Sequence, residues 1–123
     1  MEYDELINYT FQLESKLFKK TDSYLLLEKK CSTKCFSPAE KQQLEKDVHY
    51  VFTRLVKTIT QACPDLTCED IIYCCLMKLG LQSDDIARCM GSFSKQAINQ
   101  RKYRVRKKIK ETKCSFLHNI LFG

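Results

Sequence analysis

The sequence predicts an all-α protein, with a helical N-terminal region followed by a compact helical bundle. Three observations carry this. Gly (3) and Pro (2) are scarce among 123 residues. No segment alternates apolar and polar residues between turn clusters, as a half-buried strand would. Several segments instead open on helix-capping residues and continue with apolar residues at spacings of three and four.

The first helix is expected over about residues 3–20. Tyr3, Leu6, Thr10, Leu13 and Leu17 recur at helical spacing, and Ile7, Phe11 and Phe18 widen the stripe. Such a face needs a partner, either its own domain or a second copy in a coiled coil. Asp22 to Lys30 reads as a shorter helix carrying Tyr24 to Leu27, and Cys31 to Phe36 as a loop. Ser37-Pro38-Ala39-Glu40 is a strong helix start, with Ser as cap, Pro in the first turn and Glu three residues after the cap. That helix is predicted to run to about Ala62, with Leu44, Val48, Val51, Phe52, Leu55, Val56 and Ile59 on one broad face.

Pro64 divides the chain into residues 1–63, a helical region for packing or dimerisation, and residues 64–123, the bundle. Thr67 caps the next helix, which ends at Gly80, a residue suited to left-handed backbone. Ser83-Asp84-Asp85 is expected to cap a short helix ending at Met90-Gly91, and its two acids suit the helix N-terminus. Ser94 caps the last strong helix, and Lys113 to Phe122 offers a short apolar tail helix.

Charge is distributed very unevenly. Residues 95–113 hold nine bases and one acid, a net of +8, whereas the rest of the chain holds twelve bases and fourteen acids, a net of −2. A cluster of this kind marks a surface for a polyanion, or else a solvated basic helix face. The basic helix has two faces. Ile98, Val105 and Ile109, with Ala97 beside them, form an apolar side that can pack on the two preceding helices. Lys95, Gln96, Asn99, Gln100, Lys102, Tyr103 and Arg106 point the other way. Asn and Gln match an adenine edge, and Lys and Arg match guanine or phosphate. Helix, Gly turn, short helix with Ala87 at the crossing, Gly turn and basic helix together predict a helix-turn-helix.

Leu66-Thr67-Cys68-Glu69-Asp70, Leu79-Gly80-Leu81, Asp85-Ile86-Ala87, Met90-Gly91, Ser94 and Ala97-Ile98 resemble the DNA-binding domain of LuxR/NarL-type regulators. Arg104-Val105-Arg106-Lys107-Lys108-Ile109 is similar to that family's basic close. The resemblance covers about residues 64–111; sigma-factor region 4 is a weaker match of like architecture. It implies a winged-helix-like, helix-turn-helix domain that binds double-stranded DNA. The implied base-reading residues are Lys95, Gln96, Asn99, Gln100 and Tyr103. The implied backbone contacts are Ser94, Lys102, Arg104, Arg106 and Lys107. Arg101 falls near the packing boundary, where bonds to neighbouring backbone are expected.

The family turn is one residue shorter than the turn here. Aligned without a gap, Ala97 would anchor the helix and Arg104 would be buried seven residues later, which is costly. Anchoring on Ile98 buries Val105 instead, so an extra residue is assigned to Ser92-Phe93, with Phe93 expected to be partly buried. In the front half, Phe18 to Tyr24, Leu44 to Leu55, the Pro64 to Thr67 junction and Cys74-Cys75-Leu76 resemble the cytosolic tails of Bacteroidetes regulators. Tetratricopeptide repeats and a membrane span often precede such tails. Neither is in this sequence, so the resemblance implies a fragment or a reduced relative. The phosphoacceptor domain of LuxR-type response regulators is missing too.

The expected function is sequence-specific transcriptional regulation, with a candidate homodimer on paired half-sites. The competing reading is a protein-interaction module, or a sigma-like component, docking an acidic partner through the basic helix. An enzyme is not expected. There is no Gly-rich phosphate loop and no His near a nucleophile, and Glu69-Asp70 and Asp84-Asp85 read as helix-start acids. No cofactor or metal is expected either. Cys31-x3-Cys35 and Cys63-x4-Cys68 are the candidate zinc half-sites, but neither has two-residue spacing, and His49 and His118 stand alone. The eight cysteines read as reduced, small apolar residues. The acidic start Met1-Glu2-Tyr3-Asp4-Glu5 is unlike a signal peptide, and no apolar run would span a bilayer, so a cytoplasmic protein is expected.

Overall fold

The computed structural model describes residues 2–29, 34–91, 94–112 and 114–122. Among these it is all-helical, with α1 (Tyr3–Phe18), α2 (Asp22–Lys29), α3 (Pro38–Val51), α4 (Thr53–Ala62), α5 (Cys68–Leu79), α6 (Ser83–Cys89), α7 (Lys95–Glu111) and α8 (Ser115–Phe122). No described helix is long and apolar enough to cross a membrane.

The cap signatures act as local chemistry dictates. Ser37 and Glu40 exchange side-chain and backbone bonds in a capping box at the start of α3, and Thr67 and Asp70 do so at α5. Gly80 has φ 96°, with Leu81 N–H donating to the Leu76 carbonyl and Gly80 N–H to Met77, which closes α5 in a Schellman motif. The start of α6 departs from expectation. Gln82 is its cap residue and supplies no side-chain bond, while Ser83 is already helical and Asp84 and Asp85 keep the first turn acidic.

The largest departure is a break in the long helix expected to reach Ala62. Phe52 leaves the helical region, with φ −88° and ψ 45°, and separates α3 from α4. Its ring is fully buried between Phe11, at 5.4 Å between centroids, and Phe18, at 5.0 Å. The Glu14 carboxylate, from α1, accepts from Arg54 N–H at 3.1 Å and so serves as a cap for α4. A capping group 40 residues away in sequence leaves no local signature.

In α1 the two predicted sets of apolar residues separate. Ile7, Phe11 and Phe18 are buried, whereas Tyr3, Leu6, Leu13 and Leu17 are exposed, with Tyr9 among them. The buried face packs on α3, α4 and α8. Helix α5 runs through the centre, where every residue from Asp70 to Leu76 is buried. One apolar core joins residues on both sides of Pro64, from Ile7 and Phe52 through Leu76 to Val105 and Leu121. The tail helix closes it. Lys78 on α5 donates to Asn8 at 2.8 Å and to the Ile120 carbonyl at 2.6 Å, tying α1 and α8 to the centre.

Candidate nucleic-acid interface

Helices α5, α6 and α7 set the geometry of the basic surface. Ser94 begins α7 by accepting from Ala97 N–H at 3.1 Å. Ile98, Val105 and Ile109 are buried, so α7 packs in the register anchored on Ile98. Arg104 is correspondingly on the surface, and so is Ala97, which was expected beside the packed face. Ala87 is buried on α6, and α6 packs against α7, so a small residue there admits close approach. Gly91 has φ 80°, the turn geometry that favours glycine. The assigned extra residue at Ser92-Phe93 lies outside the described residues.

The opposite side of α7 is exposed along its length. Gln96, Gln100, Tyr103 and Lys107 fall in one outward row at 100° per residue, bordered on one side by Asn99 and Arg106. Tyr103 is 71% exposed, well above what its apolar ring would favour. Lys95 is exposed and 3.5 Å from the Asp84 carboxylate, and Lys102 is exposed. Arg106 stacks its guanidinium over the Phe122 ring at 4.6 Å, which fixes its position against α8.

A third side of α7 meets α5 through charge. Arg101 donates to Asp70 at 2.7 Å and to Glu69 at 2.9 Å, rather than to neighbouring backbone as expected. Arg104 also reaches Asp70, at 3.5 Å, and Lys108 lies 3.6 Å from its other oxygen. Asp70 has no exposed side-chain surface. Burial alone would raise its pKa, but the Thr67 amide and hydroxyl, with the Arg101 and Arg104 guanidiniums, hold it below the ordinary carboxylate range. The residue that ends the capping box therefore also orients the basic helix. In the sequence Asp70 is legible only as a helix-start acid, because its cationic partners lie 31 to 38 residues away.

The cysteines are free among the described residues. Cys63, Cys74, Cys75 and Cys89 are buried, as small apolar residues would be, and Cys35 and Cys114 are half-buried. Burial pushes the Cys74 and Cys89 thiols up to about 12. Cys68 is exposed and meets Glu45 of α3, whereas Cys63 is buried, so the spacing that suggests a Cys63–Cys68 half-site does not bring both thiols to the surface. Cys31, of the other candidate half-site, lies outside the described residues.

No known family model, curated protein or solved structure matches this chain.

Proposed function

We propose that the chain is a sequence-specific DNA-binding regulator whose α7 enters the major groove as the second helix of a LuxR-like helix-turn-helix. The observation that supports this most is the division of α7. Its apolar side is buried, its acidic partners hold one flank, and its outward row of amides with Tyr103 and Lys107 is left to solvent. Asn99, Gln100 and Tyr103, with Lys95 and Gln96 at the helix start, are the base-reading residues. Ser94, Lys102, Arg104, Arg106 and Lys107 position the helix on phosphates. Arg104 and Arg106 do so with heads already oriented by Asp70 and Phe122.

A homodimer on paired half-sites completes the reading. The exposed stripe of α1, with Leu6, Tyr9, Leu13 and Leu17, is its interface. The exposed charge is acidic at the start of this helix, at Glu5 with Glu2 just before it, and basic at its end, at Lys16 with Lys19 and Lys20 just after it. Two copies crossing antiparallel bring unlike ends together, whereas parallel copies stack like charges. Sedimentation of Leu13→Lys tests this interface: a variant as dimeric as the parent rules it out.

Duplex binding measured against salt tests the function. Affinity is expected to fall by about two orders of magnitude or more between about 50 and 200 mM salt. Asn99→Ala or Gln100→Ala flattens base preference at one position, and Lys107→Ala weakens all sequences alike. No binding to any genomic duplex at low salt would overturn the proposal.

A further inference from the structure

Three side chains distant in sequence converge where α3 meets the start of α5. Glu45 and His49 lie one turn apart on α3, so both side chains project from one face. Cys68 is the first residue of α5. Its Sγ is 3.2 Å from Glu45 Oε1 and 3.5 Å from His49 Nε2. One potential ligand atom from each residue lies within 4.8 Å of the other two.

The two separations from sulfur are close to the edges of a small tetrahedron. With about 2.3 Å from metal to sulfur and about 2.0 Å to nitrogen or oxygen, ligand atoms at the tetrahedral angle sit about 3.5 Å apart. The sulfur–nitrogen edge has that length already. The sulfur–oxygen edge is slightly shorter because the thiol donates a hydrogen bond to Glu45. Glu45 is exposed, so small rotations of its side chain adjust both of its edges.

The donor set selects the kind of ion. Calcium and magnesium prefer oxygen ligands throughout. A thiolate, an imidazole and a carboxylate suit a borderline ion such as zinc. We propose that Glu45, His49 and Cys68 bind a zinc-class divalent cation, with water in the fourth position. On binding, the Cys68 sulfur–hydrogen bond is replaced by a sulfur–metal bond, and the proton leaves to solvent; no electron is transferred. The ion clips α3 to the first turn of α5, two residues before Asp70. This site stands independently of the DNA reading.

Cys68 is the one exposed cysteine among the described residues, which makes the test selective. The reduced full chain is titrated with cobalt(II) and followed by absorption. One equivalent binds, with a thiolate-to-cobalt charge-transfer band and tetrahedral visible bands, and zinc displaces it. Cys68→Ser abolishes the charge-transfer band, while Glu45→Gln and His49→Gln each weaken binding by at least about tenfold. Zinc raises the melting temperature of the parent chain and not of Cys68→Ser. The side chains lie at the surface, so unchanged helical circular dichroism confirms that each variant is folded. A charge-transfer band that persists in Cys68→Ser, cobalt affinity unchanged in His49→Gln, or no cobalt uptake by the parent chain overturns the site.

Discussion

Glu14 on α1 and Asp70 on α5 are both carboxylates turned into the protein, 7% and 0% exposed. Their surroundings differ. Glu14 Oε2 accepts from Arg54 N–H, while Oε1 is buried without a hydrogen-bond partner. Burial is the stronger influence, and Glu14 has its pKa raised despite the donors from α4. Asp70 is more enclosed, yet its pKa is lowered, because the Thr67 donors and the α7 cations outweigh the loss of water. Depth alone therefore does not decide whether a carboxylate stays ionised; the donors and cations brought to it do. The two acids also serve different ends. Glu14 caps α4 after the break at Phe52, and Asp70 sets the pose of the basic helix.

The largest expected effect tests the richer site. Asp70→Asn keeps the shape of the cap but leaves the Arg101 guanidinium, 18% exposed, with only Glu69 as a counter-charge. We expect about 3 kcal/mol of lost stability by urea denaturation, in the range for breaking a buried pair. A loss under about 1 kcal/mol would show that the cations do not depend on Asp70. Thr67→Ala separates the cap from the charges. It removes one acceptor at the start of α5 and should cost about 1 kcal/mol. A cost equal to that of Asp70→Asn would place most of the Asp70 contribution in the capping box.

The smallest effect lies at Glu14 and appears through pH. A carboxylate whose folded pKa is raised favours its neutral form in the fold. Its contribution is present below the unfolded value, near 4.5, and is lost as pH rises through the higher folded value. Glu14→Gln does not titrate, so its stability relative to the parent should improve as pH rises from about 4 to 7. Denaturation at both pH values checks this. A difference between the two proteins that stays constant with pH removes the contrast with Asp70.

Features encoded within a few residues were legible. The capping boxes at Ser37 and Thr67, the left-handed Gly80 and the Ser94 cap all rest on neighbours in sequence. The packing register of α7 was legible too, because a buried Arg104 would have been costly and Val105 was not. The candidate site was legible in its exposed row, since periodicity alone separates Gln96, Gln100, Tyr103 and Lys107 from Ile98, Val105 and Ile109. Nothing local indicated which bases would be held by acids. Arg101 and Lys107 look alike in the sequence, but only Arg101 reaches α5.

Residue order alone established the all-α class, most helix starts and the concentration of positive charge in one helix, because turn chemistry and side-chain periodicity act over three or four residues. Tertiary contact decided the break at Phe52, the division of the α1 stripe into buried and exposed halves, the Asp70 cluster and the meeting of Glu45 and His49 with Cys68. The bonds of the break, the Asp70 cluster and the Cys68 meeting join groups 19 to 40 residues apart, and the α1 stripe is divided by helices as distant as α8. Their energies exist only once the fold has brought the partners within bonding distance, and at Phe52 and Asp70 packing has also excluded water.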